Sequence, residues 1–77
     1  MGAKTISRAC GKVLREHRTR MGLSQESLAL EADVDRTFIS LLERGMRQPT
    51  LETLFKLAAV LEVAPATLVA RTASALT

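Results

Sequence analysis

The chain has 77 residues and a mass of 8.4 kDa, which leaves room for one small domain, predicted to span residues 1–77. Apolar residues make up 47% of the chain and charged residues 25%, a composition that excludes disorder throughout. Eleven Lys and Arg against eight Asp and Glu give a net charge of +3, which favours an anionic partner.

Other features of the composition exclude further classes of protein. A single cysteine, Cys10, rules out an intramolecular disulfide, and no cluster of Cys and His predicts a metal site. The longest uninterrupted apolar stretch, residues 57–61, is far shorter than the roughly 20 residues that cross a bilayer. The N-terminus also lacks an apolar signal core. We therefore expect a cytoplasmic protein without a membrane segment, a metal or a cofactor.

The first predicted helix runs from about Ile6 to Met21 and ends at Gly22. Apolar residues recur at three- and four-residue steps here and throughout the chain, whereas period-2 alternation is nearly absent, so the fold class is all-α. The residues expected on the inward face of this helix are Ile6, Cys10, Val13, Leu14 and His17.

Two short helices follow, joined by a tight turn. Ser24 is a good N-cap for the second helix, and a turn is expected at Asp33. Asp35 caps the third helix, which runs from Arg36 to Arg44 and is closed by Gly45. This pattern over about residues 24–45 predicts a helix-turn-helix.

The fourth and fifth helices, over about residues 50–71, are expected to complete a compact five-helix bundle. Pro49 and Thr50 start the fourth helix and Pro65 starts the fifth, in which Leu68 and Val69 should face inward. Residues 72–77 are weakly patterned and are expected to fray. The buried stripe of the fourth helix is predicted to be Leu51, Leu54, Leu57, Ala58 and Leu61.

The third helix has one polar face and one apolar face. At 100° per residue, its polar side chains fall within a sector of about 100°, roughly opposite Ile39 and Leu42. Arginine can pair bidentately with guanine, and hydroxyls can bond to a base or a phosphate. Most charged helix faces are only solvated, but a helix-turn-helix holds its second helix where it can enter the major groove. The polar residues are Arg36, Thr37, Ser40 and Arg44.

The segment LSQESLALEADVDRTFISLLERG, residues 23–45, resembles the helix-turn-helix of the Cro and phage-repressor family, and the resemblance extends from about Leu14 to Leu68. Asp33 stands where glycine is usual in that family, and Asp tolerates a left-handed backbone better than most residues. Within the family, DRTFIS followed by ERGMRQ is most similar to the controller proteins of restriction-modification systems, small homodimers that regulate their own operon.

The resemblance implies roles for individual residues. Arg36 and Thr37 would read base edges, and Ser40 would contact a base or a phosphate. Arg18 and Glu43 match a structural ion pair between the first helix and the end of the third. The candidates for the DNA backbone or groove are Gln25, Arg47, Gln48, Arg44 and Phe38, and no residue is a catalytic candidate.

A homodimer on palindromic double-stranded DNA is the expected assembly, because one recognition helix contacts too few base pairs to select a site. The predicted dimer interface is Leu61, Val63, Leu68 and Val69, which exceed what so small a core is expected to bury.

The leading hypothesis is therefore a sequence-specific DNA-binding transcription regulator. One alternative is an antitoxin-type module that binds DNA and also neutralises a protein toxin. An enzyme or a pure protein-interaction bundle is the remaining alternative, although no paired carboxylates or activated nucleophile support an enzyme.

Overall fold

The computed structural model describes residues 2–77, so Met1, the first residue of the predicted domain, lies outside it. The described residues form five α-helices and no strand, which confirms the all-α prediction. Their overall extents are 32 × 22 × 21 Å. The helices are α1 (Ala3–Arg20), α2 (Gln25–Ala32), α3 (Arg36–Glu43), α4 (Leu51–Leu61) and α5 (Pro65–Ala75).

N-cap side chains hold the starts of three helices, and two of these caps, Ser24 and Asp35, were predicted. The side chain of Ser24 accepts from the amide of Ser27, and that of Thr50 accepts from the amide of Thr53. The Asp35 carboxylate accepts from the amide of Thr37 at 2.8 Å, which fixes the first turn of α3. Each oxygen satisfies an amide that has no partner within its own helix.

Asp33 ends α2 with φ 57° and ψ 49°, in the left-handed region. The chain therefore turns at a non-glycine residue, as the sequence predicted, because a short polar side chain adopts this conformation at modest cost. Only Val34 and the capping Asp35 then separate Asp33 from α3.

Helix α5 extends to Ala75, so the expectation that residues 72–77 fray is wrong up to that residue. Thr72 donates its hydroxyl to the Leu68 carbonyl at 2.8 Å. Leu76 is half-buried and lines a pocket with Ile6 of α1. The tertiary contact with α1 stabilises a segment whose own pattern is weak.

The core lies where the five helices meet. Leu61 and Leu68 belong to it, with only 3% and 1% of their surface exposed. Their assignment to a dimer interface is therefore wrong, because this chain already buries both side chains. The other buried apolar residues are Ala9, Val13, Leu14, Leu28, Ala29, Ala32, Ile39, Leu42, Leu54, Leu57 and Ala58.

Three residues predicted to be buried lie at the surface instead. Leu51, in the first turn of α4, is 70% exposed, and Ile6, near the start of α1, is 37% exposed. Val69, which was expected to face inward from α5, is 56% exposed.

The chain bends by 103° between α4 and α5, at Glu62, which has φ 58°. Within residues 2–77 no single helix is long and apolar enough to cross a membrane, and α4 and α5 reach that length and composition only together, across this bend.

His17 packs on the inward side of α1, where 8% of its surface is exposed. Burial lowers the pKa of its imidazole, and the positive charges of Arg20 and Arg71 lower it further. The histidine is therefore a neutral packed side chain at pH 7.

Gly11 allows α1 to approach the carboxyl end of α3 closely. A Cβ at this position would press against the Leu42 carbonyl oxygen and lie 2.8 Å from that of Glu43. Just beyond α3, a Cβ on Gly45 would lie 2.9 Å from the Arg8 Cα, and Gly45 has φ 74°. Glycine is needed at both positions, because α1 touches the end of α3 at Gly11 and the residue after α3 at Gly45.

We expect Gly11→Ala to lower the free energy of unfolding by about 1–3 kcal/mol, as overpacking does, although alanine is normally about 1 kcal/mol better than glycine in a helix. The added methyl meets backbone oxygens, which cannot move aside without displacing α3. Urea denaturation measures the change, with Gly2→Ala as a control because nothing lies within 4 Å of a Cβ there. A stabilised Gly11→Ala variant would contradict this close contact.

Candidate nucleic-acid interface

The polar face of α3 points away from the core. Arg36 and Thr37 are exposed and Ser40 is half-buried. On the opposite side, Ile39 and Leu42 are each 1% exposed. The buried pair fixes the rotation of α3, so that the short polar side chains and the guanidinium of Arg36 form part of the protein surface.

Arg44 caps the end of α3 and lies on the same polar face. It is exposed, and its Nε lies 3.4 Å from the carbonyl oxygen of Ser40, one turn earlier. This long hydrogen bond leaves the two terminal nitrogens of the guanidinium available to an acceptor outside the chain.

The loop after α3 contains two further predicted DNA contacts. Arg47 and Gln48 are both exposed. The Gln48 amide nitrogen donates to the carbonyl of Ala3 at 3.1 Å, which holds the loop against the start of α1. Gln48 therefore has a structural role that the sequence did not suggest.

The Glu43 carboxylate joins three helices at the end of α3. Arg18 of α1 donates to it twice, from Nε to Oε2 at 2.7 Å and from Nη2 to Oε1 at 2.9 Å. The two side chains are only 11% and 3% exposed, respectively. These hydrogen bonds with Glu43 raise the pKa of Arg18 above its ordinary value. A bidentate pair of this geometry fixes both side chains.

The same carboxylate accepts a third hydrogen bond, which sequence reasoning missed. Gln25, the first residue of α2, donates from Nε2 to Glu43 Oε1 at 3.0 Å. An amide nitrogen has two hydrogens, so one donor of Gln25 remains for a phosphate. The remaining Nη1 of Arg18 donates to the Leu23 carbonyl at 2.8 Å, which fixes the residue before the Ser24 cap.

Phe38 is half-buried and packs against the core cluster. Its ring therefore supports α3 from beside the polar face, and only part of it is available to another molecule.

An apolar surface outside the polar face was only partly predicted. Of the four expected interface residues, Val69 is exposed and Val63 is half-buried, partly packed on the core. Leu51 and Phe55 are 70% and 55% exposed and lie one turn apart on α4. Their four-residue spacing marks a shared helix face, which was the available sequence signal.

The described residues offer no alternative site for metal chemistry. Within residues 2–77 no group of three or more His, Cys, Asp or Glu side chains is placed to hold an ion. Cys10 is half-buried, and burial raises the pKa of its thiol, against a smaller opposing effect of Thr72. The thiol is therefore protonated at neutral pH.

Comparison with known proteins gives a consistent result. A family model described as helix-turn-helix matches residues 14–68. The control protein C.BamHI of Bacillus amyloliquefaciens is 41% identical over 56 residues, which cover 71% of this chain and 69% of that protein.

Two solved structures of restriction-modification controller proteins share the fold. C.AhdI from Aeromonas hydrophila is 42% identical, with a TM-score of 0.78 over 80% of this chain and 94% of that one. The C.Esp1396I tetramer in complex with its natural 35 base-pair operator is 28% identical, with a TM-score of 0.81 over 92% of this chain and 93% of that one.

We expect Glu43→Gln to lower the free energy of unfolding by about 3 kcal/mol, because it leaves the shielded Arg18 guanidinium without its counter-charge. Urea denaturation measures the loss, and Glu31→Gln is the matched control, since Glu31 is exposed and such surface changes cost less than about 0.5 kcal/mol. The loss should persist at high salt, because buried pairs are weakly screened. Equal stability of the two variants would show that the ion pair contributes little.

Proposed function

The chain belongs to the helix-turn-helix family, and from this membership we propose that it is a transcription regulator that binds a specific double-stranded DNA operator as a homodimer. The observation that carries the proposal is the orientation of α3. Its buried residues and the Glu43 ion pair hold Arg36, Thr37 and Ser40 at the surface. A helix presented in this way can enter the major groove.

Arg36 and Thr37, in the first turn of α3, are the proposed base-reading residues. The guanidinium of Arg36 can donate to O6 and N7 of guanine, and the hydroxyl of Thr37 can bond to either partner of a base pair. Ser40, one turn further, contacts a base or a phosphate. These contacts supply the sequence preference.

Contacts to the DNA backbone are proposed for residues on both sides of α3. Gln25 has one free amide hydrogen for a phosphate, and the first turn of α2 adds amides without helical partners. Arg47, in the loop after α3, reaches the backbone beside the groove. Arg44, Gln48 and Phe38 are weaker candidates. Such contacts fix the register of the protein without reading sequence.

The homodimer surface is proposed to centre on Leu51 and Phe55 of α4, together with Val63 and Val69. Large exposed apolar side chains mark interaction sites when they form a patch, and Leu51, Phe55 and Val69 are each more than half exposed. A twofold dimer presents two copies of α3 to the two halves of a palindrome, about 34 Å apart.

Among transcription regulators, the similarity favours a controller of a restriction-modification system. C.BamHI and C.AhdI, which are described as control or controller proteins, are both more than 40% identical to the chain. A neighbouring reading frame for a methyltransferase or an endonuclease supports this role, whereas a small toxin gene supports the antitoxin alternative. The matched relatives favour the regulator.

The proposed activity is binding in the cytoplasm, where the operator lies. It needs no catalytic residue, metal or cofactor.

We expect Arg36→Ala to weaken binding to the cognate operator by about 1–3 kcal/mol, because a bidentate base contact is lost, while binding to random DNA changes little. Gln25→Ala should instead weaken binding to both DNAs, as the loss of a backbone contact does. Fluorescence anisotropy with DNA from directly upstream of the coding frame, and with a random duplex of equal length, separates the two cases. An equal loss on both duplexes for Arg36→Ala would exclude base reading by this residue.

We expect Phe55→Glu to convert the dimer to monomers, because it places a charge in the apolar centre of the interface. Leu30→Glu is the matched control, since Leu30 is 81% exposed on α2 and lies outside the proposed surface. Sedimentation equilibrium at tens of micromolar measures the assembly state. A wild-type protein that is monomeric there, or a Phe55→Glu dimer, would rule out this interface.

A further inference from the structure

Four cationic side chains share one face of α1, a surface that we call the basic stripe: Lys4, Arg8, Lys12 and Arg15. At 100° per residue they fall within a sector of about 80°, and the first three are separated by about 6 Å along the helix. All four are exposed, and residues 2–15 contain no Asp or Glu.

Within residues 2–77 no carboxylate forms an ion pair with the basic stripe. The ion pair found within residues 2–77 joins Arg18 to Glu43, and Glu43 is the one acidic residue between residues 36 and 48. Its carboxylate already accepts hydrogen bonds from Arg18 and Gln25, and its side chain is 3% exposed. Four positive charges therefore remain on the surface without a partner.

The basic stripe lies beside the end of α3 and the loop that follows it. Gly11, immediately next to this sector of α1, meets the last carbonyls of α3. Arg8 packs against Gly45, and the Gln48 side chain bonds to the carbonyl of Ala3. The stripe is thus continuous with the loop that carries Arg47.

One free acidic side chain, Glu16, is exposed on α1, one turn beyond Lys12 and about 40° outside the sector of the stripe. The other free acidic side chains lie on other elements. Glu26, Glu31, Asp33 and Asp35 belong to α2 and the turn before α3, Glu52 belongs to α4, and Glu62 caps the end of α4. The loop, the end of α3 and the basic stripe therefore carry six exposed cations, with Glu16 at the far edge of the stripe: Lys4, Arg8, Lys12, Arg15, Arg44 and Arg47.

We propose that the basic stripe binds the phosphates of operator DNA outside the base pairs that α3 reads. This inference rests on the proposed function, because it extends the same interface along the backbone. A row of unpaired cations is complementary to a row of phosphates, and it adjoins the residues already assigned to DNA. The stripe adds affinity that does not depend on sequence, while α3 supplies the specificity.

The test compares two double variants with the same change of net charge. Lys4→Gln combined with Lys12→Gln removes half of the stripe and spares Arg8, which packs on Gly45. Arg20→Gln combined with Lys56→Gln is the control. Both residues are exposed, with Arg20 about 80° around α1 from Lys12, the nearest edge of the stripe, and Lys56 on α4.

The dissociation constant is measured by fluorescence anisotropy across a series of KCl concentrations. The probes are a duplex from directly upstream of the coding frame and a random duplex of equal length. Each lost phosphate contact should reduce the slope of log K against log salt by about 0.9, so the stripe variant should lose about 1.8 per protomer. This loss should be similar on both duplexes, and the control variant should lose much less.

Failure of the stripe proposal and failure of the proposed function give different results. If the stripe variant and the control have the same salt slope on both duplexes, the stripe does not bind DNA, and an acidic protein surface becomes its candidate partner. If the wild-type protein binds both duplexes equally, the proposed operator-specific function is overturned. The salt slopes on the random duplex still decide whether the stripe contacts phosphate.

Discussion

The Glu43 carboxylate is the interaction on which the orientation of the candidate interface depends. It lies at the carboxyl end of α3, where the helix dipole disfavours a negative charge, and its side chain is 3% exposed. Desolvating a carboxylate costs several kcal/mol, so the group is stable there only because Arg18 and Gln25 together donate three hydrogen bonds to it. Any rotation of α3 that moved its polar face inward would break this network.

Close steric contacts at the same end of α3 add to the effect of the Glu43 ion pair. Gly11 lets α1 reach the last carbonyls of the helix, and Gly45 turns the chain against Arg8. The amino end of α3 is held differently, by the Asp35 cap and the short turn after Asp33. The tight packing therefore lies at the carboxyl end, and it leaves the first turn, with Arg36 and Thr37, at the surface where a groove can receive it.

Local features of the fold were predictable because their causes lie close together in the sequence. The caps at Ser24 and Asp35 and the left-handed turn at Asp33 depend on one or two residues each, and the structure confirms them. Tertiary features were not predictable in the same way. The hydrogen bond from Gln25 to Glu43 spans 18 residues, and the need for a glycine in the middle of α1 arises from a helix more than 30 positions away.

Periodicity also does not say how far a buried stripe extends. Leu51 and Leu61 belong to one predicted stripe of α4, yet Leu51 is 70% exposed and Leu61 is 3% exposed. Across the 103° bend after α4, Leu61 packs in the same core cluster as Leu68 of α5, whereas Leu51 in the first turn of α4 lies outside that cluster.

The sequence also does not show how charge is distributed over the folded surface. A net charge of +3 describes a weakly basic chain, but the fold places the cations of α1 next to those of the loop after α3 and uses the Glu43 carboxylate internally. Because the Debye length is about 8 Å at physiological ionic strength, a phosphate responds to this local arrangement and not to the average over the molecule. The placement of charge, which only the fold determines, sets the strength of the electrostatic attraction to DNA.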